Sequence, residues 1–295
     1  MKVERIMAET KTRLLVLGAS GMLGNALLRT FAFSPEYEAW GTVRSDAARQ
    51  LLPSSLRDRV AVGIDMEKRD DLGSLLCEVR PDVVINCIGL VKQLAVSEDH
   101  VAAITINSLL PHRLARTCEG VGARFVQIST DCVFAGTGSM YTEEDFADAP
   151  DLYGRSKYLG EVDYPHAITL RTSIIGHELA TSHGLIAWFL AQRDGVKGFT
   201  KAVFSGLPTV ELARVARDFV LPHPELHGVY HVSAEPISKY DLLRLVARTY
   251  GKHITITPDD GVAIDRSLDS TRFRRLTGYK PPQWAELVRA MHEFG

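Results

Sequence analysis

Arg13-Leu14-Leu15-Val16-Leu17 is a short, nearly unbroken apolar run that stops at Gly18, with Gly21 and Gly24 following at intervals of three. Met22 to Leu28 then reads as the start of a helix. A run of this length bounded by glycine is what a strand buried on both faces of a parallel sheet looks like. Strand, glycine turn and helix in direct succession bring free backbone N–H groups and the positive end of a helix to one point, where a phosphate binds. This feature alone constrains the chain to an α/β architecture with a nucleotide at its first crossover. The spacing is Gly-x-x-Gly-x-x-Gly rather than the Gly-x-Gly-x-x-Gly of simple dehydrogenases.

The remaining pattern extends that start. Further strands are predicted at Glu38–Val43, Val60–Ile64, Val83–Asn86, Arg124–Ser129 and Ala167–Arg171, alternating with amphipathic segments. That alternation predicts a doubly wound, Rossmann-like parallel sheet. Asp70 or Asp71 is expected to cap a helix over Leu72–Val79, and a long helix is expected from Val101 to about Gly120, kinked at Pro111 because proline removes a backbone donor. After Arg171 the rhythm changes. Helices at Leu185–Arg193, Val210–Phe219 and Lys239–Tyr250 alternate with glycine- and proline-marked loops, with short strands at Val229–Val232 and Ile254–Ile256. The expected division is a dinucleotide-binding domain over 12–172 and a smaller mixed substrate-binding region over 173–295, some of whose segments return to the first domain.

Composition narrows the function classes. With 295 residues, 45% apolar and 24% charged, the chain is long enough for a sizeable core and is not disordered. A net charge of −2 without a basic block argues against nucleic-acid or anionic-membrane partners, and no apolar run approaches the roughly 20 residues of a spanning helix. The first ten residues are too charged for a secretory signal. Cys77, Cys87, Cys118 and Cys132 lack paired spacing, which fits reduced thiols and a cytoplasmic protein, and ten scattered histidines offer no metal motif.

The chemistry is carried by Tyr153-Gly154-Arg155-Ser156-Lys157, preceded by Ser129-Thr130-Asp131. Tyr and Lys four apart share a helix face, and an ammonium there is expected to lower the phenol toward neutrality, where acid–base catalysis works best. A Ser or Thr hydroxyl can hold the substrate oxygen meanwhile. At the end of the second strand stands Arg44-Ser45, with no carboxylate before Asp46. An acid there accepts ribose hydroxyls, whereas Arg offers a fork of donors to a 2′-phosphate, so NADPH is expected and NADH disfavoured. Cys87-Ile88-Gly89 follows the fourth strand, where open α/β sheets bind ligands, and Gly89 admits a close approach to cofactor.

In these motifs, and in Asn86-Cys87-Ile88-Gly89, Ser129 to Phe134, Tyr153 to Glu161 and Leu170-Arg171-Thr172, the chain resembles the extended short-chain dehydrogenase/reductases that act on nucleotide sugars, nearest the dTDP-4-dehydrorhamnose reductase group. The resemblance runs from about Lys11 onward. It implies that Gly18, Ser20, Gly21, Met22, Leu23 and Gly24 cradle the cofactor, that Asp65-Met66 reads the adenine, and that Asn107 braces the active site. It further implies Thr130 as the group positioning the carbonyl, with Ser129 the less favoured substitute. Tyr153 is implied as proton donor, and Lys157 as the group that holds the nicotinamide ribose. Asp131 and Cys132 are expected to face the sugar, and Lys92, Lys201 and Arg266 its phosphates. Two departures stand out: Cys132 replaces the group's usual Tyr, and the first helix carries Asn25 and Arg29 where acids of a magnesium-bridged dimer would lie. Dehydratases of the superfamily show Thr-Asp-Glu, and Cys132 cannot serve as that acid.

The expected activity is NADPH-dependent reduction of the 4-keto group of a 4-keto-6-deoxy nucleotide sugar, in deoxysugar precursor synthesis, by a protein that could be a homodimer. The alternatives are a nucleotide-sugar epimerase, or a non-catalytic regulatory subunit that keeps the fold and binds cofactor.

Overall fold

The computed structural model describes residues 11–64, 69–90 and 98–295. Seven parallel strands form the central sheet: β1 (Thr12–Leu17), β2 (Tyr37–Val43), β3 (Val60–Val62), β4 (Val83–Asn86), β5 (Arg124–Thr130), β6 (Ala167–Thr172) and β10 (Gly228–His231). Their order across the sheet is β10-β6-β5-β4-β1-β2-β3. The chain winds outward from β1 in one direction and from β4 in the other. The crevice where that direction reverses lies beyond Leu17 and Asn86, which are partners in register.

Alternate residues of each strand supply two cores, one on either face. Leu14 and Val16 of β1, Val83 and Ile85 of β4, Val126 of β5 and Ile168 and Leu170 of β6 enter one core, which the helix α1 (Met22–Ala32) covers with Leu23, Ala26, Leu27 and Phe31. Leu15 and Leu17, Val84, Phe125 and Ala167 enter the other, beneath α3 (Arg69–Val79) and α5 (Leu110–Val121). Burial on both faces is why these strands read as continuous apolar runs rather than alternating ones. Asp70 and Asp71 belong to α3 itself rather than preceding it.

The long central helix breaks earlier than Pro111. It runs as α4 (His100–Ala103), a π-helical turn over Ile104–Leu109, and then α5, with Pro111 in the first turn of α5. Pro111 has no N–H to give the carbonyl four residues back, which is that of Asn107. Just before it, in the π turn, the Leu110 N–H reaches back five residues to the Thr105 carbonyl, and Gly122, left-handed at φ 72°, closes α5.

Beyond β6 lie β7 (Ile174–Ile175), α7 (Leu185–Ala191), β8 (Val196–Phe204), β9 (Leu207–Pro208) and α8 (Thr209–Val215), extended by a π turn over Ala216–Val220. After β10 come β11 (Ile237–Ser238), α9 (Lys239–Thr249), β12 (Ile256–Asp265), α10 (Thr271–Thr277) and α11 (Trp284–Phe294). A three-stranded mixed sheet, β11-β8-β12, is the second layer of this region. The strand expected at Ile254–Ile256 begins only at its last residue and continues to Asp265, irregular between Asp259 and Ala263. Its charged and proline-containing sequence hid it, and two lysines and a glycine hid β8, because both strands are half exposed.

Candidate active site

The cofactor end is built at the reversal crevice. Gly18 adopts φ +80°, a left-handed conformation that lets the chain turn from β1 into α1. A Cβ on Gly24 would lie 2.2 Å from the Gly18 carbonyl oxygen, so only glycine lets the first turn of α1 pack onto the loop. The turn is fixed by Gly21 N–H to Gly18 O at 3.0 Å and Asn25 N–H to Gly21 O at 2.9 Å. Gly21 is the N-cap of α1, with no side chain capping it and no acidic residue in the first turn. Ser20, Met22 and Leu23 complete this uncapped N-terminus. Its donors and positive end fit a dinucleotide pyrophosphate.

At the carboxyl end of β2, Arg44 is exposed and Ser45 caps α2 (Asp46–Gln50), accepting from the Ala48 N–H at 3.2 Å. Asp46 pairs with Arg49. No acid stands between Val43 and Asp46 at this strand end. Asp65, Met66 and Lys92 lie outside the described residues.

Past β4, Cys87 N–H bonds the Leu17 carbonyl at 3.0 Å and Ile88 N–H bonds Asn86 Oδ1 at 3.0 Å, which lays this loop across the crevice. A Cβ on Gly89 would sit 3.4 Å from Asn107 Oδ1 and 3.7 Å from Lys157 Nζ, so three expected site residues meet here. Asn107 is 1% exposed, within the π turn. Its Oδ1 accepts from Leu90 N–H at 2.9 Å and its Nδ2 donates to Ser156 Oγ at 3.2 Å, tying the loop to α6 (Leu152–Leu159).

Thr130 ends β5, and a 3₁₀ turn over Asp131–Val133 follows. Cys132 therefore does not continue the strand on Thr130's face: its N–H bonds Thr130 Oγ1 at 3.1 Å, while that hydroxyl donates to Asp131 Oδ1 at 3.2 Å. Ser129 faces the other way and donates to Glu161 Oε1 at 2.6 Å. Both hydroxyls are therefore engaged, that of Ser129 with Glu161 and that of Thr130 with Asp131, but only Thr130 also hydrogen-bonds with Tyr153. Burial holds the Asp131 carboxyl above its ordinary value. Burial, then the neighbouring Asp131, pushes the Cys132 thiol up to about 11.

Tyr153 and Lys157 share α6, whose N-cap Asp151 accepts from Gly154 N–H at 2.9 Å. The expected lowering of the phenol is corrected by the structure. Burial is the largest influence on Tyr153 and raises it, Cys132 adds to the rise, and hydrogen bonding with Thr130 opposes it. Lys157 Nζ instead donates to the Ile128 carbonyl at 2.8 Å, and burial lowers the ammonium to about 8. The helix is seated by Gly154: a Cβ there would lie 2.2 Å from the Cys132 carbonyl oxygen and 2.5 Å from Ala149 Cβ. Gly154→Ala is expected to cost about 1–3 kcal/mol of stability as an overpacked contact, read as a lower midpoint in chemical denaturation. An unchanged midpoint would show that α6 is free to move away.

Of the expected phosphate cations, Arg266 reaches the site and Lys201 does not. Arg266 donates to the Phe134 carbonyl at 2.7 Å and the Ala135 carbonyl at 3.3 Å, with Nη1 3.9 Å from Cys132 Sγ. Lys201 is exposed on β8 beside Asp260. Trp284 packs on Phe204 and donates to the Glu235 carbonyl. In the first helix, Arg29 donates to the Phe294 carbonyl at 2.9 Å and stacks on that ring. Two residues quoted only within motifs are tied to the end of β5: Glu161 and Arg171 form a bidentate pair, each side chain 5% exposed, with Glu161 also accepting from Ser129. The available signal was a charged Arg171 in a strand that otherwise carries only apolar residues and two threonines.

A family model for the RmlD substrate binding domain matches residues 12–293. The chain belongs to the RmlD family. Among relatives of this RmlD protein, methionine adenosyltransferase 2 subunit beta of Mus musculus is 30% identical over 314 residues, spanning 94% of this chain and 88% of that protein. The dTDP-4-dehydrorhamnose reductase of Aggregatibacter actinomycetemcomitans is 24% identical over 307 residues, spanning 96% and 99%. The fold is shared with the dTDP-4-dehydrorhamnose reductase of Bacillus anthracis in complex with NADP, at TM-score 0.78 and 22% identity over 97% of this chain and 99% of that one. This RmlD-family chain is thus of the extended short-chain dehydrogenase/reductase type, and among its described residues no helix is long and apolar enough to cross a membrane.

Proposed function

We propose that this oxidoreductase reduces the 4-keto group of a 4-keto-6-deoxy nucleotide sugar, using NADPH. The observation that carries the reading is that Tyr153 hydrogen-bonds with Thr130 at the end of β5, while Lys157, one turn further along α6, bonds the Ile128 carbonyl of the same strand and lies beside Gly89. When bound, the reduced nicotinamide supplies a hydride to the ketone carbon. The chain supplies the rest. Thr130 Oγ1, held in place by the Cys132 N–H, turns its one proton from Asp131 to the ketone oxygen and holds it in line. Tyr153 gives that oxygen its proton; burial makes the phenol a weaker acid but keeps it protonated at neutral pH, and the alkoxide left by hydride transfer is basic enough to take the proton. Lys157, with one of its three donors on Ile128, has two left for ribose hydroxyls. Arg266 and Cys132 border the sugar, and Asp131 faces it from the same turn.

Arg44 supports the choice of NADPH. A preference over NADH of at least about tenfold, about 1.4 kcal/mol, is expected, and Arg44→Asp should narrow or reverse it. Equal use of both cofactors by the unaltered protein would contradict this. The named Bacillus anthracis reductase is in complex with NADP, which agrees with the choice.

The relative from Mus musculus, a subunit of methionine adenosyltransferase 2, favours a second reading. On that reading the chain is a subunit that binds cofactor without turnover. Mixing the protein with NADPH and a panel of 4-keto-6-deoxy nucleotide sugars separates the readings. Consumption of NADPH is the expected result. Isomerised sugar with cofactor unspent would mean an epimerase, and binding with neither would mean a subunit.

A further inference from the structure

Resting on the role given to Lys157 above, we propose that Glu161, balanced by Arg171, sets the pH range over which Lys157 carries its charge and so holds the cofactor. Glu161 is a positioning residue, because it acts through Lys157 and touches neither cofactor nor substrate. Lys157 and Glu161 are four residues apart across the end of α6, and both are anchored to successive residues of β5: Lys157 Nζ to the Ile128 carbonyl at 2.8 Å, Glu161 Oε1 to the Ser129 hydroxyl at 2.6 Å. Two adjacent anchors on a rigid strand fix the spacing of the two charges.

The surroundings of Lys157 make Glu161 the decisive neighbour. From the loop after β4 come the Cys87 thiol, pushed up to about 12 by burial and hence neutral, and the backbone of Gly89. The π turn brings the uncharged Asn107 amide to Gly89, and β5 presents a carbonyl. Among the described residues, Glu161 is the carboxylate that acts on the ammonium, against the burial that lowers it. Arg171 then moderates Glu161 through its fork, at 2.8 and 2.7 Å, with Nη1 3.3 Å from His231 Nε2. His231, held down to about 4 by burial and by Arg171, adds no charge at neutral pH. With Lys157 at about 8, modest changes in this balance move its charge within the working range.

The test is NADPH binding to the full chain, followed by cofactor fluorescence across neutral and alkaline pH, which needs no sugar substrate. Wild type is expected to lose affinity as pH rises through the Lys157 midpoint, and Lys157→Met to lack that transition. Glu161→Gln should move the midpoint toward acid by about one unit, as loss of a nearby opposite charge does. Arg171→Gln should move it toward alkali, because the carboxylate is left unopposed. Opposite shifts are the signature of electrostatic control, since a purely structural pair would give equal losses without moving the midpoint. If either variant fails to fold by near-ultraviolet circular dichroism, Glu161→Asp, which keeps the charge at a greater distance, should give a smaller acid shift. Coincident midpoints in wild type and in folded variants would overturn the inference and leave the proposed function standing. Absence of NADPH binding by wild type would overturn the proposed function itself.

Discussion

Tyr153→Phe is expected to reduce turnover on the order of 10²–10⁴-fold, the usual worth of a positioned general acid, while NADPH affinity stays close to wild type. The variant removes one oxygen from a half-buried ring. That oxygen meets Thr130, and the hydroxyl of Thr130 remains held by Asp131 and the Cys132 N–H without it. The fold and the cofactor cradle should therefore survive, and steady-state kinetics alongside a direct binding titration check both halves. Near-normal turnover in Tyr153→Phe would remove Tyr153 as the proton donor and direct attention to Thr130 or a bound water.

Lys157→Met should have the second large effect, and a different one. The stem is 7% exposed and its methylenes pack much as those of Met do, so the substitution is nearly volume-conserving. What disappears is the ammonium, with its bond to the Ile128 carbonyl and its two remaining donors. Turnover and NADPH affinity should fall together, affinity by about tenfold or more, since a hydrogen bond from a charged group is worth about 1.5–3 kcal/mol. Unchanged affinity in a folded Lys157→Met protein would show that the ammonium serves only the helix.

The central sheet was legible because its strands are buried on both faces: each strand of the β1 to β6 series falls within two residues of its expected limits. The cradle was legible for a local reason, since the left-handed turn at Gly18 and the close packing at Gly24 admit little besides glycine. What the sequence concealed depends on pairings between distant segments. The strand β12 lies in a stretch with two adjacent aspartates and a proline, and only its pairing with β8 makes it a strand. The irregularity expected at Pro111 lies ahead of it, as the π turn at Ile104–Leu109, which no apolar periodicity marks. The turn that carries Asp131 and Cys132 was not legible either, because it is set by the Thr130 hydroxyl, which ends the strand by capping it. The state of Tyr153 was misjudged because spacing on a helix gives proximity to Lys157 but says nothing of burial, which is the larger influence. Lys201 was grouped with Arg266 on charge alone, and the mixed sheet turns it outward to Asp260.

Reduction at the ketone is tested most directly by isotope transfer. NADPH deuterated at the transferring position of the nicotinamide is incubated with the protein and a 4-keto-6-deoxy nucleotide sugar, and the product is read by nuclear magnetic resonance and mass. The account predicts one deuterium on the former ketone carbon, in step with oxidised cofactor released, and its loss in Tyr153→Phe. A sugar altered without deuterium gain, or NADPH retained unspent beside unaltered sugar, would contradict it.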